Sequence, residues 1–211
     1  MRIITVSRQF GSGGRELGKK LAEKLGWDYY DKNIIEKLCE QENLDEDYVR
    51  RVFHDGDWSN FAESTQGTFS QIGVNSGWQL SLLSKQREII ENIASLGRDC
   101  VIVGRDADVI LGDRRPFRIF VCADLPFRLA RCMKREEKNP EGKRLNEKQV
   151  MKNIKKIDRT RIRTREILTG KSFSDPSTFD LTVNSASFDV EMLAEHVTKL
   201  ALGWFEDEAK R

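Results

Sequence analysis

Residues 3–26 read IITVSRQFGSGGRELGKKLAEKLG, and this stretch decides the fold. Its first four residues are all β-branched, which is typical of a buried strand. Glycines follow at positions 11, 13 and 14, and leucines then recur at helical spacing up to Gly26, a residue type that commonly ends a helix. The order of strand, glycine loop and helix indicates the beginning of an α/β fold.

Strands and helices alternate along the rest of the chain. Short apolar runs predict further strands at residues 27–30, 100–103, 117–121 and 178–183. Apolar residues at helical spacing predict helices at 79–96, 124–137, 146–168 and 190–204. Residues 33–53 predict one or two charged helices, and 54–77 are either a functional loop or a pair of short irregular helices. The alternation indicates a parallel, doubly wound sheet flanked by helices.

The composition indicates a single globular α/β domain. With 211 residues, the chain is long enough to bury a substantial core. Lys and Arg (36) nearly balance Asp and Glu (34), so the net charge of +2 gives no reason to expect nucleic-acid binding. Four scattered cysteines and two distant histidines argue against a zinc site. No apolar run approaches the roughly 20 residues that span a membrane, and no signal peptide opens the chain, so we expect a cytoplasmic protein without a membrane partner.

The glycine loop has the features of a phosphate cradle. Glycine lets the backbone turn tightly, and a helix that starts at the loop directs free N–H groups and its positive dipole end at an anion. Aligned on Gly13, the usual phosphate-loop pattern has its first glycine at Arg8 and its lysine at Gly14, and Arg15 and Glu16 follow where a hydroxyl residue is expected. Arg15 or Arg8 is the candidate for the missing positive charge. The alternative is a tight turn that binds no ligand.

Polar residues follow three of the predicted strands at the point where each ends. The segments are residues 7–15, Asp31 and Gly104-Arg105-Asp106. Ligands of open α/β sheets bind beyond the carboxyl ends of the strands. We therefore expect these three segments to converge on one binding site.

Arginine is concentrated on the two predicted helices at 124–137 and 146–168. Residues three or four apart share a helix face, which groups Arg128 with Arg131 and Arg135, Arg159 with Arg163, and Arg161 with Arg165. The guanidinium fork matches phosphate oxygens, so we interpret these side chains as a clamp on transferring phosphates. Solvated helix faces are the alternative interpretation.

Most of the chain resembles the cytidylate kinase-like branch of the P-loop nucleoside monophosphate kinases. The opening at residues 3–16 is similar to that branch, and residues 101–106 with 117–121 resemble the G-R-D segment and the next strand of bacterial cytidylate kinases. Residues 128–135 correspond to their lid helix. Asp158-Arg159-Thr160-Arg161 resembles their D-R-x-R segment.

The resemblance implies a fold, an activity and a division of the chain. The fold is a three-layer P-loop NTPase-type fold, with a central five-stranded parallel sheet flanked by helices. The core would comprise residues 1–31, 99–124 and 166–211, with a helical monophosphate-binding insert at 32–98 and an arginine-rich lid at 125–165. The activity is transfer of the γ-phosphoryl group of ATP, with Mg²⁺, to cytidylate or a related nucleoside monophosphate.

The same resemblance implies roles for individual residues. The donor phosphates would be bound by Gly11, Ser12, Gly13, Gly14, Arg15 and Glu16. The acceptor would be bound by Asp31, Arg105, Asp106, Asp158 and Arg161. Migrating charge would be stabilised by Arg15, Arg131, Arg135 and Arg159.

Gly14 and Glu16 depart from the pattern and keep other functions open. One alternative is a nucleotide-binding regulatory protein with altered or lost kinase activity, and another is a kinase for a different small molecule. Glu16 would repel the β-phosphate, bind the metal ion, or cap the helix N-terminus, and the cap is the default expectation. The metal ligands and the oligomeric state are left open by the sequence.

Overall fold

A five-stranded parallel sheet forms the centre of the computed structural model, which describes residues 1–31, 84, 86–137 and 144–210. The strands are β1 (Ile3–Arg8), β2 (Asp28–Tyr30), β3 (Cys100–Val103), β4 (Phe117–Cys122) and β5 (Leu181–Asn184). Their order across the sheet is β2-β3-β1-β4-β5, and each neighbouring pair is parallel. The predicted fold class is confirmed.

Helices cover both faces of this sheet. They are α1 (Gly14–Leu25), α2 (residues 86–95), α3 (Ala107–Ile110), α4 (Leu125–Glu137), α5 (Glu147–Thr169) and α6 (Val190–Glu208). The charged helices predicted at 33–53, the segment 54–77 and most of the proposed insert lie outside the described residues. None of the helices within the described ranges has the length and apolar character needed to cross a membrane.

The two faces of β1 contribute to two different cores. Ile4 and Val6 point to one face and pack in a cluster with residues of α1 and α6. Ile3 points to the other face and packs with Ile90 and Ile93 of α2. Successive side chains of a strand alternate in direction, so a continuous β-branched run builds cores on both sides of the sheet. This gives the three layers of the fold.

Helices α4 and α5 pack on each other through a small core of their own. Cys132 of α4 packs in one cluster with Val150 and Ile154 of α5, and all three are buried. The start of α5 is fixed by a capping box, in which the Asn146 side chain accepts from the Gln149 N–H and the Gln149 side chain accepts from the Asn146 N–H. The arginine-rich segment is therefore a helix pair built onto the sheet domain.

The last strand begins later than the sequence predicts. Residues 178–183 were expected to form it, whereas β5 runs from Leu181 to Asn184 and a 3₁₀ turn occupies Pro176–Thr178. The Asp175 side chain accepts a hydrogen bond from the Ser177 N–H at 3.0 Å and so stabilises the turn. This local capping interaction outweighs the strand propensity of Thr178 and Phe179.

Candidate functional site

The glycine loop between β1 and α1 uses two left-handed residues. Gly11 has φ of 81° and Gly13 has φ of 83°, a conformation that favours glycine. Between them, Ser12 is fully buried, and its hydroxyl lies 2.9 Å from the Gln9 carbonyl oxygen and 3.0 Å from that of Val121. The Ser12 side chain therefore holds the loop to the sheet, and the backbone is left to meet a ligand.

Helix α1 begins at this loop without a side-chain cap. Its N-cap is Gly13, and no side chain accepts from the first-turn N–H groups. The first N–H groups of a helix have no partner within the helix, so those of Gly14, Arg15 and Glu16 are available to an anion. The expectation that Glu16 caps the helix is wrong, because its carboxylate instead pairs with Arg131, at 2.7 Å between Oε2 and Nη2.

Arg131 lies directly over the glycine loop. A Cβ atom added to Gly13 would come within 3.3 Å of the Arg131 Nη2 atom. The Arg131 guanidinium also stands over the Phe127 ring, 5.8 Å from its centroid. The structure thus places this predicted catalytic arginine of α4 over the glycine loop.

Arg15 points away from the loop toward the end of β2. Its Nε atom lies 2.6 Å from Oδ2 of Asp31, whose side chain is only 4% exposed. The Tyr29 hydroxyl donates to the same carboxylate at 3.1 Å, and burial together with Asp31 raises the pKa of Tyr29 to about 12. Arg15 and Asp31, predicted to bind donor and acceptor, are therefore partners of each other in this structure.

Asp158 and Arg128 both form hydrogen bonds with the backbone of the loop residue Phe10. Asp158 accepts the Phe10 N–H at 2.7 Å, and Arg128 donates to the Phe10 carbonyl oxygen at 3.3 Å. The two side chains also form an ion pair with each other. Asp158, predicted to bind the acceptor, thus fastens α4 and α5 to the glycine loop. Helical spacing grouped Arg128 with Arg131 and Arg135 in a predicted phosphate clamp, whereas in the structure Arg128 is buried and paired with Asp158.

The segment after β3 has three consecutive left-handed residues. Gly104, Arg105 and Asp106 have φ of 80°, 62° and 51°. Arginine and aspartate adopt positive φ angles much less often than glycine does. The Gln86 side chain of α2 donates to the Arg105 carbonyl oxygen at 2.9 Å and supports the turn. Burial, followed by the nearby charge of Asp108, raises the pKa of Asp106 to about 6.

Arg8, Arg105 and Arg161 come together at this edge of the sheet. Arg161 donates to the Arg8 carbonyl oxygen at 2.8 Å, and its guanidinium stands over the Phe10 ring. Burial lowers the pKa of Arg161 to about 10, with Asp158 opposing that shift and Arg105 adding to it. The structure therefore brings Arg105 and Arg161, both predicted to bind the acceptor, beside Arg8.

An open cleft lies on the other side of the loop. It encloses about 600 Å³, including space open to solvent at its mouth. Ser185 stands at its inner wall, where its hydroxyl lies within hydrogen-bonding distance of the Ser12 and Cys122 carbonyl oxygens. The other lining residues come from the loop, α1, α4 and the start of α6: Gly13, Leu17, Phe127, Arg131, Phe188, Asp189, Val190 and Leu193.

Comparison with known proteins decides the family. The model of the cytidylate kinase-like family matches residues 3–187, which include the glycine loop, the G-R-D segment and both arginine-rich helices. The chain belongs to the cytidylate kinase-like family. The resemblance seen in the sequence is thereby confirmed.

Individual relatives of this family member are distant in sequence. A cytidylate kinase from Aster yellows witches'-broom phytoplasma (strain AYWB) is 25% identical, over 74% of this chain and 77% of the relative. An uncharacterized protein from Eubacterium ventriosum is 22% identical, with a TM-score of 0.68 over 95% of this chain and 98% of the other. Shikimate kinase from Aquifex aeolicus is 17% identical, with a TM-score of 0.50 over 96% of each chain. At these identities the two solved structures support the P-loop kinase fold alone.

Two predicted catalytic arginines are not drawn into the site. Arg135 and Arg159 are exposed and make no hydrogen bond or ion pair with the residues that the structure describes. Both lie on the helices of the proposed lid, whose residues 138–143 fall outside the described ranges. Their roles in charge stabilisation remain predictions.

A buried ion pair was missed by the sequence reasoning. Arg165 of α5 pairs with Asp108 of α3, and their side chains are 4% and 2% exposed. The Ser7 hydroxyl of β1 also donates to Asp108, at 3.2 Å. This network ties α5 to the strand ends that carry Arg8 and Asp106. Sequence spacing put Arg165 on the same helix face as Arg161, but spacing carries no information about burial.

The site fits a magnesium ion that arrives with phosphates. No group of three or more His, Cys, Asp or Glu residues in the described ranges could hold a metal by itself. Magnesium is commonly bound by one or two carboxylates, water and substrate phosphates. Asp106 is the carboxylate at the strand ends that makes no side-chain hydrogen bond with the described residues, and it is suited to that contribution directly or through water.

Proposed function

We propose that this protein transfers the γ-phosphoryl group of ATP to a small phosphate-bearing acceptor, cytidylate or a related nucleoside monophosphate. One observation carries the proposal: the uncapped start of α1 lies between an open cleft and a cluster of arginines. A kinase needs these two sides, one for each substrate, with an anion-binding backbone at the point of transfer. Membership of the cytidylate kinase-like family supports the same proposal.

The donor side is the glycine loop and the cleft beside it. The N–H groups of Gly14, Arg15 and Glu16 would bind the ATP phosphates. Arg131 would leave its ion pair with Glu16, bind the phosphates and neutralise part of their charge. The apolar side chains of Leu17, Phe127 and Leu193 line the cleft and would pack against the nucleoside. Magnesium, when bound, would neutralise further charge on the phosphates.

The acceptor side is the cluster formed by Arg8, Arg105 and Arg161. Three guanidinium groups that repel one another favour an anion with two negative charges, such as a phosphomonoester. Asp106 next to them is a hydrogen-bond acceptor for a hydroxyl or amino group of the same ligand. We further propose that residues 125–165 act as the lid over both substrates and that 32–98 contribute to acceptor binding.

A nucleotide-binding regulatory protein is the second candidate. It is favoured by the pairing of Arg15 with Asp31 and of Arg131 with Glu16, since both arginines would otherwise be available to phosphates. In this case the loop binds nucleotide but the transferring group is not stabilised.

Turnover over a panel of acceptors separates the two candidates. ADP formation from Mg-ATP is measured with cytidylate, uridylate, adenylate, guanylate and shikimate, each against a control without acceptor. We expect transfer to at least one monophosphate and a loss of at least about 100-fold in kcat/KM for Arg161→Met, since charge-clamping arginines contribute that much or more. The control is Arg114→Met, at an exposed arginine outside the predicted site residues, which should behave as wild type. No transfer to any monophosphate, with ATP still bound, would favour the regulatory candidate.

A further inference from the structure

Two glycines make room for the side chain of Arg8. A Cβ atom on Gly14 would lie 2.6 Å from the Arg8 Cβ and 3.1 Å from its Cγ, so the aliphatic stem packs against Gly14. A Cβ atom on Gly104 would lie 1.5 Å from the Arg8 Nη1 and 2.6 Å from its Cζ, so the guanidinium lies on Gly104. Contacts under about 3.0 Å do not occur without displacement. Arg8 thus extends from the end of β1, past the start of α1, to the end of β3.

The Arg8 guanidinium lies among charges of its own sign. Burial, followed by Arg161 and Arg105, lowers its pKa well below the usual range, and Tyr29 and Asp106 offset this in part. The guanidinium makes no hydrogen bond or ion pair with any residue in the described part of the chain. By contrast, Arg15, Arg128, Arg131 and Arg165 each pair with a carboxylate. A positioned cation in such surroundings is stabilised by a bound anion.

Gly14 stands at the position of the phosphate-loop lysine, and the Arg8 stem occupies the space that a side chain at position 14 would need. A lysine at position 14 would collide with the Arg8 stem, so the absence of that lysine and the position of Arg8 are structurally linked. We propose that Arg8 takes over the role of that lysine and binds the phosphoryl group in transfer, between the loop and the acceptor cluster of Arg105 and Arg161. This inference rests on the proposed function and adds a residue to it.

The chemistry requires no proton from Arg8. The bond between the γ-phosphorus and the oxygen that stays with ADP breaks, and ADP leaves with the electron pair. An unprotonated phosphate oxygen of the acceptor forms the new bond to the same phosphorus. Arg8 stays protonated throughout and donates hydrogen bonds to oxygens of the transferring group, as arginine does in other phosphoryl-transfer sites.

Arg8→Met is the primary test, because methionine keeps much of the stem that packs on Gly14 and removes the charge. Calorimetric titrations with ATP and with ADP are compared with wild type, and circular dichroism and thermal unfolding check the fold. We expect ATP binding to weaken at least about 10-fold and ADP binding to change less than about 3-fold, since only ATP carries the phosphoryl group to be transferred. We expect kcat to fall at least about 100-fold. Arg114→Met, at an exposed arginine outside the predicted site residues, is the control and should leave all three quantities unchanged.

A charge-relocation variant is the second test. Gly14→Lys alone should not raise activity, since the lysine stem collides with Arg8. Arg8→Gly combined with Gly14→Lys restores the usual order of the pattern and should regain at least about 10-fold of the activity that Arg8→Gly loses, a coupling that neighbouring sites show in double-mutant cycles. A merely structural role for Arg8 would give no such recovery.

The outcomes separate this inference from the proposed function. If wild type transfers phosphate to no acceptor, the proposed function fails, while the ATP and ADP titrations still test Arg8. If wild type is active and Arg8→Met binds ATP and turns over like wild type in a folded protein, the assignment of Arg8 is overturned. Equal weakening of ATP and ADP binding would also overturn it, because Arg8 would then act on the donor cradle in general.

Discussion

The arginines around the glycine loop fall into two groups that differ in the charges nearest to them. Arg15, Arg128, Arg131 and Arg165 each meet a carboxylate, and these pairs connect α1, α3, α4 and α5 to the loop or the strand ends. Arg8 lies beside Arg161 and Arg105, which lower its pKa, and Arg161 in turn lies 3.9 Å from Asp158. The carboxylate pairs position the backbone, whereas Arg8 remains among like charges whose repulsion an anionic substrate would relieve. Charge alone does not identify a ligand-binding arginine; its partners do.

The largest expected effect is on a member of the paired group. Arg165→Met should destabilise the fold by about 3–5 kcal/mol, because it leaves the Asp108 carboxylate buried without its cation. Urea unfolding at neutral pH measures the loss. Adding Asp108→Asn to the same chain should recover much of it, since the uncompensated charge is then removed. A loss below about 1 kcal/mol would mean that this pair does not belong to the structural group.

A smaller effect is expected where the two groups meet, at Asp106. Its pKa is raised from 3.8 to about 6 in the folded chain, so the folded state binds more protons than the unfolded state between these values. Stability contributed by this residue is therefore present at low pH and lost as pH rises through about 6. Asp106→Asn should stabilise the protein at pH 8 by up to about 3 kcal/mol and have little effect near pH 4. Asparagine tolerates the left-handed backbone at this position.

Chemical unfolding of wild type and Asp106→Asn from pH 4 to 8 checks this difference. The control is Asp113→Asn, which removes a carboxylate that is exposed. A constant difference for Asp106→Asn across the range would contradict the burial of this carboxyl group in a charged state.

The smallest expected effect concerns the exposed pair between Arg131 and Glu16. Glu16→Gln should change the free energy of unfolding by less than about 1 kcal/mol, because both side chains are substantially exposed. It should strengthen ATP binding by about 2–5-fold, since Arg131 is released and a negative charge near the phosphates is removed. Calorimetry at low and high salt measures this, with Glu23→Gln on the same helix as control. Weaker ATP binding would instead place Glu16 among the groups that hold the metal ion.

The fold was predictable because its signals are local. The β-branched run at residues 3–6, the glycines at 11 and 13 and the apolar spacing of α1 each follow from short-range sterics and burial. Strand alternation then predicted the parallel sheet, which is confirmed. The start of β5 was predicted wrongly, because the side chain of Asp175 stabilises a turn that propensity does not register.

The candidate site was predictable in its location and less so in its contacts. Residues after parallel strands meet at one edge, so the convergence of the glycine loop with Arg105 and Asp106 followed from topology. The partners of Arg15, Glu16 and Asp158 did not follow, since each partner comes from a distant part of the chain. Helical spacing grouped Arg161 and Arg165 on one face, yet only Arg165 forms a fully buried ion pair, whereas Arg161 lies 3.9 Å from the partly exposed Asp158.

The sequence by itself determined that residues 9–16 form a glycine loop at the start of a helix, because glycine at positive φ and helix periodicity act within a few residues. It also showed that the lysine of the usual pattern is absent at Gly14. Only the tertiary structure decided what accompanies that absence: the stem of Arg8 fills the space beside Gly14, and its guanidinium reaches Gly104 at the end of β3. Residues that are far apart in the chain exclude one another only where packing brings them together, and packing cannot be inferred from the local spacing of residues.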